Sequence, residues 1–184
     1  MKKLVFFTLL ILSFSNVSGQ LLLNMQLGPQ VPMNSAFRAN YSTGFGLSAS
    51  GKYAVSSSRL YGLTAATGRW GAKNPYLESI DGRYGMNSFY LGREDYFNED
   101  RLRVFSIAEA GLLFLRFKGD NVDEEASSTI FLGVNAGAGV LYELKERLYL
   151  QASGKLNINY SSNLFGGWFS FLGVNVGVAY RIGG

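Results

Sequence analysis

Over most of the chain, apolar positions recur at every second residue, not every third or fourth. Leu21, Leu23, Met25 and Leu27 alternate with Asn24, Gln26 and Gly28, and Phe45, Leu47 and Ala49 alternate with Gly46, Ser48 and Ser50. The pattern is clearest in the C-terminal half. Ile130, Leu132, Val134, Ala136, Ala138, Val140 and Tyr142 form one such series. Leu172, Val174, Val176, Val178, Tyr180 and Ile182 form another, interleaved with Gly173, Asn175, Gly177, Ala179 and Arg181. Successive side chains of a strand point to opposite faces, so each such segment predicts a strand with one greasy face and one small or polar face. Eight strands are expected, at about 21–28, 44–54, 59–68, 84–97, 101–118, 129–144, 148–160 and 168–182.

The connections add the architecture. Long segments at 29–43, 69–83 and 119–128, and a medium one at 161–167, alternate with short ones at 55–58, 98–100 and 145–147. Strict alternation of tight turns and long loops is expected of an eight-stranded antiparallel up-and-down transmembrane β-barrel, with turns on the inner side and loops outside. The alternative is a soluble barrel of the lipocalin type, greasy inside and wet outside. The second face argues against it, because it is built of Gly, Asn, Ser and Ala. No residue is charged from Ile130 to Tyr142 or from Trp168 to Tyr180. Small residues suit the crowded interior of an eight-stranded barrel. On the greasy face, Tyr53, Phe97, Tyr142 and Tyr180 fall near the short turns, and Phe45, Tyr160 and Trp168 near the long loops, as two interfacial girdles would. Arg93 and Asp95 break the pattern by sharing the greasy face with Phe89 and Leu91, close to the turn end.

The first 19 residues read as a separate element. Lys2 and Lys3 precede an apolar run from Leu4 to Phe14, and small Gly19 offers a cleavage position. This is the form of a secretory signal peptide; the run is too short for a membrane-spanning helix of about 20 residues, and an uncleaved anchor is the alternative. A barrel domain over 20–184 is expected to follow, on the outer membrane of a Gram-negative cell. Of the 17 basic residues the signal holds two, leaving 15 against 13 acidic ones, so the basic character of the whole chain is no argument for nucleic acid. Three prolines, all before residue 76, and 23 glycines agree with long paired strands.

The stretch Leu27-Gly28-Pro29-Gln30-Val31-Pro32 through Gly44-Phe45-Gly46-Leu47 to Lys52-Tyr53, together with Ala108-Glu109-Ala110-Gly111-Leu112, resembles the outer membrane protein β-barrel domain family. This is a set of small OmpA/OmpX-like, porin-shaped barrels, and the resemblance covers most of the chain after the signal. It implies a fold and a location, and no shared activity. The last strand, Asn175-Val176-Gly177-Val178-Ala179-Tyr180-Arg181-Ile182, looks like the signal read by the barrel assembly machinery, although it ends in Ile and is followed by Gly183-Gly184. The resemblance implies outer-membrane lipid and that machinery as partners.

Chemistry is harder to find. The chain has no histidine and no cysteine, which removes Ser-His, Asp-His and thiolate sites. Asp120, Asp123, Glu124 and Glu125 read as a solvated acidic loop, and Gly137-Ala138-Gly139 lies mid-strand, where it opens no helix and cannot cradle a phosphate. No enzyme activity, metal, cofactor or nucleic-acid partner is expected. What remains is a set of charges on the small-residue face: Lys52, Glu94, Arg103, Glu109, Glu143, Lys155 and Arg181. Near-balanced charges in a narrow lumen should pair with one another. A two-residue turn at Asn98-Glu99 would set Glu94 opposite Arg103, and Glu109 would meet Lys155 over Gly137. The expectation is a plugged barrel with a structural or interaction role carried by its loops; the alternative is a narrow pore for ions or small solutes.

Overall fold

The computed structural model describes residues 20–73, 83–118, 128–161 and 167–183. The signal peptide expected at 1–19, the acidic loop expected at Asp120, Asp123, Glu124 and Glu125, and the centres of the last three expected long connections lie outside them. Eight strands follow one another in sequence: β1 (Leu21–Pro32), β2 (Gly44–Ser56), β3 (Arg59–Gly71), β4 (Arg83–Tyr96), β5 (Leu102–Lys118), β6 (Ser128–Lys145), β7 (Leu148–Tyr160) and β8 (Trp168–Ile182). Each pairs antiparallel with its sequence neighbour, and β1 pairs with β8, so the sheet closes into an up-and-down barrel with no free edge.

The faces fall as the alternation predicts. On β1, Leu23, Met25 and Leu27 are exposed on the outside, whereas Leu22, Asn24 and Gln26 are buried in the lumen. Val134, Val140, Val174, Val176 and Val178 are likewise exposed outside. The aromatic positions Phe45, Phe97, Tyr160, Trp168 and Tyr180 also stand outside, and the Tyr160 and Trp168 rings meet at 5.1 Å. Arg93 and Asp95 are outside too. There the Asp95 carboxylate accepts from Arg59 Nε at 2.7 Å and Arg93 Nε at 2.6 Å, which compensates the charges near the turn end.

Three local features differ from the expected pattern. β1 runs to Pro32, four residues further than its alternation of polar and apolar types suggests. Its ladder to β8 skips Gly28 and Pro29 and resumes at Gln30↔Gly173, because a proline has no N–H to donate there. The first long connection, expected to be loop throughout, holds a short helix α1 (Ser35–Asn40) closed by the Tyr41 amide donating to the Phe37 carbonyl at 2.9 Å. So short a helix is marginal by itself, and it is held by Phe37, which is fully buried. The β4–β5 turn is wider than two residues. Asn98 bridges it, donating to the Leu102 carbonyl at 2.6 Å and accepting from the Val104 amide at 2.8 Å. The β6–β7 turn is tight and sets Arg147 at φ 72°, the left-handed position of a hairpin closed by a bulge, which the ladder shows as a register shift between Glu143 and Lys145.

Candidate functional site

The lumen has three layers, from the turn end to the loop end. Leu22, Leu60, Tyr96, Phe105, Ile107, Leu141, Tyr149 and Ala179 fill the first. Below them a cavity of about 390 Å³ opens at the turn end, with Arg103 and Arg181 in its wall. Both guanidinium groups lie over the Tyr149 ring, at 6.0 Å and 5.0 Å.

The middle layer is polar and holds the buried charges. Lys52 Nζ donates to Glu94 Oε1 at 2.5 Å, and the Tyr96 hydroxyl donates to the other Glu94 oxygen at 3.1 Å. Lys52 sits on β2 and Glu94 on β4, so the lysine must cross β3. It does so at Gly62, its cross-strand partner, where a Cβ would come within 2.6 Å of Lys52 Cγ. The second centre is Glu109. Its carboxylate accepts from Lys155 Nζ at 3.2 Å on both oxygens, from Thr64 Oγ1 at 2.9 Å and from Asn135 Nδ2 at 3.0 Å. Gly92, opposite Glu109, gives that side chain its room: a Cβ there would lie 2.4 Å from Glu109 Cγ. Amides complete the layer, with Asn24 donating to Gln151, Ser153 to Gln26 and the Tyr90 hydroxyl to Asn159. The voids between these groups measure about 30 and about 10 Å³.

The third layer closes the loop end. Phe37 of α1 enters the barrel among Trp70, Met86, Leu113, Leu115, Phe131, Phe169 and Phe171. The Phe37 ring lies 4.6 Å from Phe169 and 5.6 Å from Trp70, and it stacks on Tyr41 at 4.7 Å. Trp70 Nε1 donates to the Gln30 carbonyl at 3.2 Å, which satisfies the one polar atom of a fully buried side chain. Burial, and then the neighbouring Tyr84, raise the Tyr41 phenol above its ordinary value.

Of the seven charges singled out in the sequence, four are brought together in two pairs. Glu109 and Lys155 meet, with Asn135 opposite the first and Gly137 opposite the second. Glu94 does not face Arg103. The wider β4–β5 turn shifts the register so that Glu94 lies opposite Ile107, and Arg103 opposite Leu141. Arg103 and Arg181 belong to the turn-end cavity. Glu143 lies half-buried opposite Tyr149, in no ion pair with the described residues. The two apolar layers were not foreseen. A signal for them existed: Leu112-Leu113-Phe114-Leu115 and Trp168-Phe169 are apolar on both faces, which a polar lumen along the whole length would not allow.

A closed eight-stranded barrel with a polar, hydrogen-bonded interior and an apolar exterior is the architecture of the small outer-membrane barrels. Solved structures with this fold include Neisserial surface protein A (16% identity, 88% of this chain and 97% of that one, TM-score 0.68). Ail, the attachment invasion locus protein of Yersinia pestis, is similar at 16% identity over 90% of this chain and 100% of its own, with a TM-score of 0.59. The outer membrane protein OprG from Pseudomonas aeruginosa is similar at 12% identity, 91% and 97% coverage, and a TM-score of 0.55. Neither a family profile nor a curated protein matches the sequence.

Proposed function

We propose that this protein spans the outer membrane as a barrel with a closed lumen and serves a structural or interaction role through the loops at its 161–167, 119–128, 69–83 and 29–43 end. The observation that carries this reading is the inversion of polarity. Large apolar side chains such as Leu91, Leu132 and Val176 are exposed around the outside, while Lys52, Glu94, Glu109 and Lys155 are buried inside. A lipid surround makes such an exterior favourable on every side of the barrel. The closed lumen is supported by the two ion pairs, the small voids around them and the aromatic lid on α1. The interaction role is supported by the name of Ail, an attachment invasion protein of the same fold, and by the general concentration of binding residues on loops. No catalytic role is proposed, because the histidine on which acyl- and ester-cleaving barrels would draw is absent from the sequence. For biogenesis, the pattern from Asn175 to Ile182 supports recognition of β8 by the barrel assembly machinery before β8 closes on β1.

The test is reconstitution into a planar bilayer after fractionation of cells. The protein should sediment with outer membranes and give no steady conductance. Recovery in the soluble periplasmic fraction would overturn the membrane reading, and a steady, ion-selective current would replace the closed lumen with a narrow pore.

A further inference from the structure

The turn end of the lumen is a blind vestibule. The cavity that opens there measures about 390 Å³, within the range of about 300–1,000 Å³ usual for small-molecule sites. Its floor is apolar, formed by Leu22, Leu60 and Leu141, which are buried on β1, β3 and β6. Beyond that floor the polar middle layer is packed, with voids of only about 30 and about 10 Å³. A molecule that enters from the turns therefore stops on the leucines.

Two cations stand in the wall of this cavity. Arg103 on β5 and Arg181 on β8 both lie over the Tyr149 ring. A guanidinium group that rests on a ring uses its flat face and keeps its in-plane N–H donors for another partner. Arg103 Nε donates to the Asp100 carbonyl at a long 3.4 Å. Apart from that bond, neither guanidinium group has a hydrogen bond or an ion pair among the described residues. Two like charges brought to one ring repel each other, and an anion between them relieves the repulsion. Among the described residues Glu99 is the one acidic group in the wall, exposed at the rim, while Glu143 lies half-buried opposite Tyr149; neither pairs with an arginine. The wall also offers groups for hydrogen bonding. Ser56 and Ser57 line it, and the β2–β3 ladder slips between Ala54 and Ser56, so Val55 has no partner on β3 and its backbone groups stand outside the ladder.

The geometry points to a binding site at the turn end for the C-terminal residues of a short peptide, its carboxylate held by Arg103 and Arg181, its last apolar side chain resting on Leu22, Leu60 and Leu141, and its amides meeting Ser56, Ser57 and the Val55 backbone. A planar carboxylate accepts paired hydrogen bonds from a guanidinium group, and arginine holds its charge at any physiological pH. An inorganic anion would use the arginines alone. A fatty acid would use the arginines and the leucines and leave the hydroxyls unused. The vestibule ends on its floor, so it holds its ligand and does not pass it on. The site depends only on the closed sheet; that its peptide comes from the periplasm rests on the membrane-spanning reading.

The test uses the folded protein in zwitterionic detergent, titrated calorimetrically with N-acetyl-alanyl-leucine bearing a free carboxylate. That peptide should bind. Its C-terminal amide, acetate and octanoate should each bind about tenfold or more weakly. The double variant Arg103→Gln/Arg181→Gln should lose about tenfold or more in affinity, whereas Arg101→Gln, on the outer face over Tyr142, should not. Glu99→Gln removes the acidic group at the rim and should tighten binding by about two- to fivefold, the scale of an exposed charge contact. A gain of affinity cannot come from a folding defect, so this variant guards the result of the double one. Equal binding by the amide, or unchanged binding by the double variant together with Glu99→Gln, would overturn the site. Octanoate or acetate binding as tightly as the peptide would overturn the peptide as its ligand. A steady bilayer current that the peptide blocks would instead overturn the closed lumen and leave the site standing.

Discussion

Lys52 on β2 reaches Glu94 on β4, 2.5 Å away, by crossing β3 at a glycine. Both side chains are buried, so each is compensated mainly by the other, with the Tyr96 hydroxyl as the second donor to Glu94. Taking one partner away leaves a charge in a narrow lumen, a loss of about 3–5 kcal/mol. Glu94→Gln and Lys52→Met should each lower barrel stability by that order, and the double variant should recover part of it. Arg103→Gln should be mild, since Arg103 meets Tyr149 and not Glu94. Urea unfolding of the refolded barrel in detergent measures all four; a larger loss for Arg103→Gln than for Lys52→Met would contradict the pairing.

Gly62 should behave as part of that ion pair although it carries no charge. Its absent side chain is the path of Lys52, and a Cβ would also meet the Gly51 carbonyl oxygen at 2.4 Å. Gly62→Val should destabilise the barrel about as much as removing the lysine. Gly154→Val on the outside, where a Cβ meets nothing within 4 Å, should be tolerated. The same unfolding measurement decides the matter.

The Glu109 centre differs in being held from three strands. Thr64, Asn135 and Lys155 all donate to it, so losing one neutral donor should be milder than losing the cation. Thr64→Val is expected to lose about 1.5–3 kcal/mol, the usual contribution of a hydrogen bond to a charged group. Lys155→Met is expected to lose about 3–5 kcal/mol and to be partly rescued by Glu109→Gln. Equal effects from Thr64→Val and Lys155→Met would mean that the charge itself contributes little.

The outer face has its own test. Val176 is more than half exposed and lies level with Leu27 and Ala152 on the neighbouring strands. Val176→Arg should lower the stability of the barrel folded in vesicles by about 2–4 kcal/mol, as expected of a cation turned to lipid near the midplane. The adjacent inward position should tolerate Asn175→Ser. A silent Val176→Arg would invert the assignment of faces.

The aromatic lid links a loop to the lumen. Phe37→Ala and Trp70→Ala should each destabilise the barrel by about 3–5 kcal/mol, because both rings are fully enclosed. If α1 is held by Phe37, the Phe37→Ala variant should also expose the 29–43 connection to protease, while its β-sheet circular dichroism stays unchanged. Resistance to protease equal to that of the parent protein would show that α1 stands without its anchor.

The sequence by itself determined the number of strands, their order and the face each side chain occupies. These depend on a period of two and on turn spacing, which are local properties: Val134 is outside and Asn135 inside whatever β6 pairs with. It did not determine which charges meet. That depends on register, and register turned on one detail, the Asn98 bridge that widens the β4–β5 turn and carries Glu94 away from Arg103 to Lys52. Nor could alternation separate an inward Phe131 that belongs to a lid from an inward Asn135 that belongs to a polar layer, because it gives the face and not the depth. Depth is fixed only when the strands pair around the closed barrel and set residues from distant parts of the chain at one level.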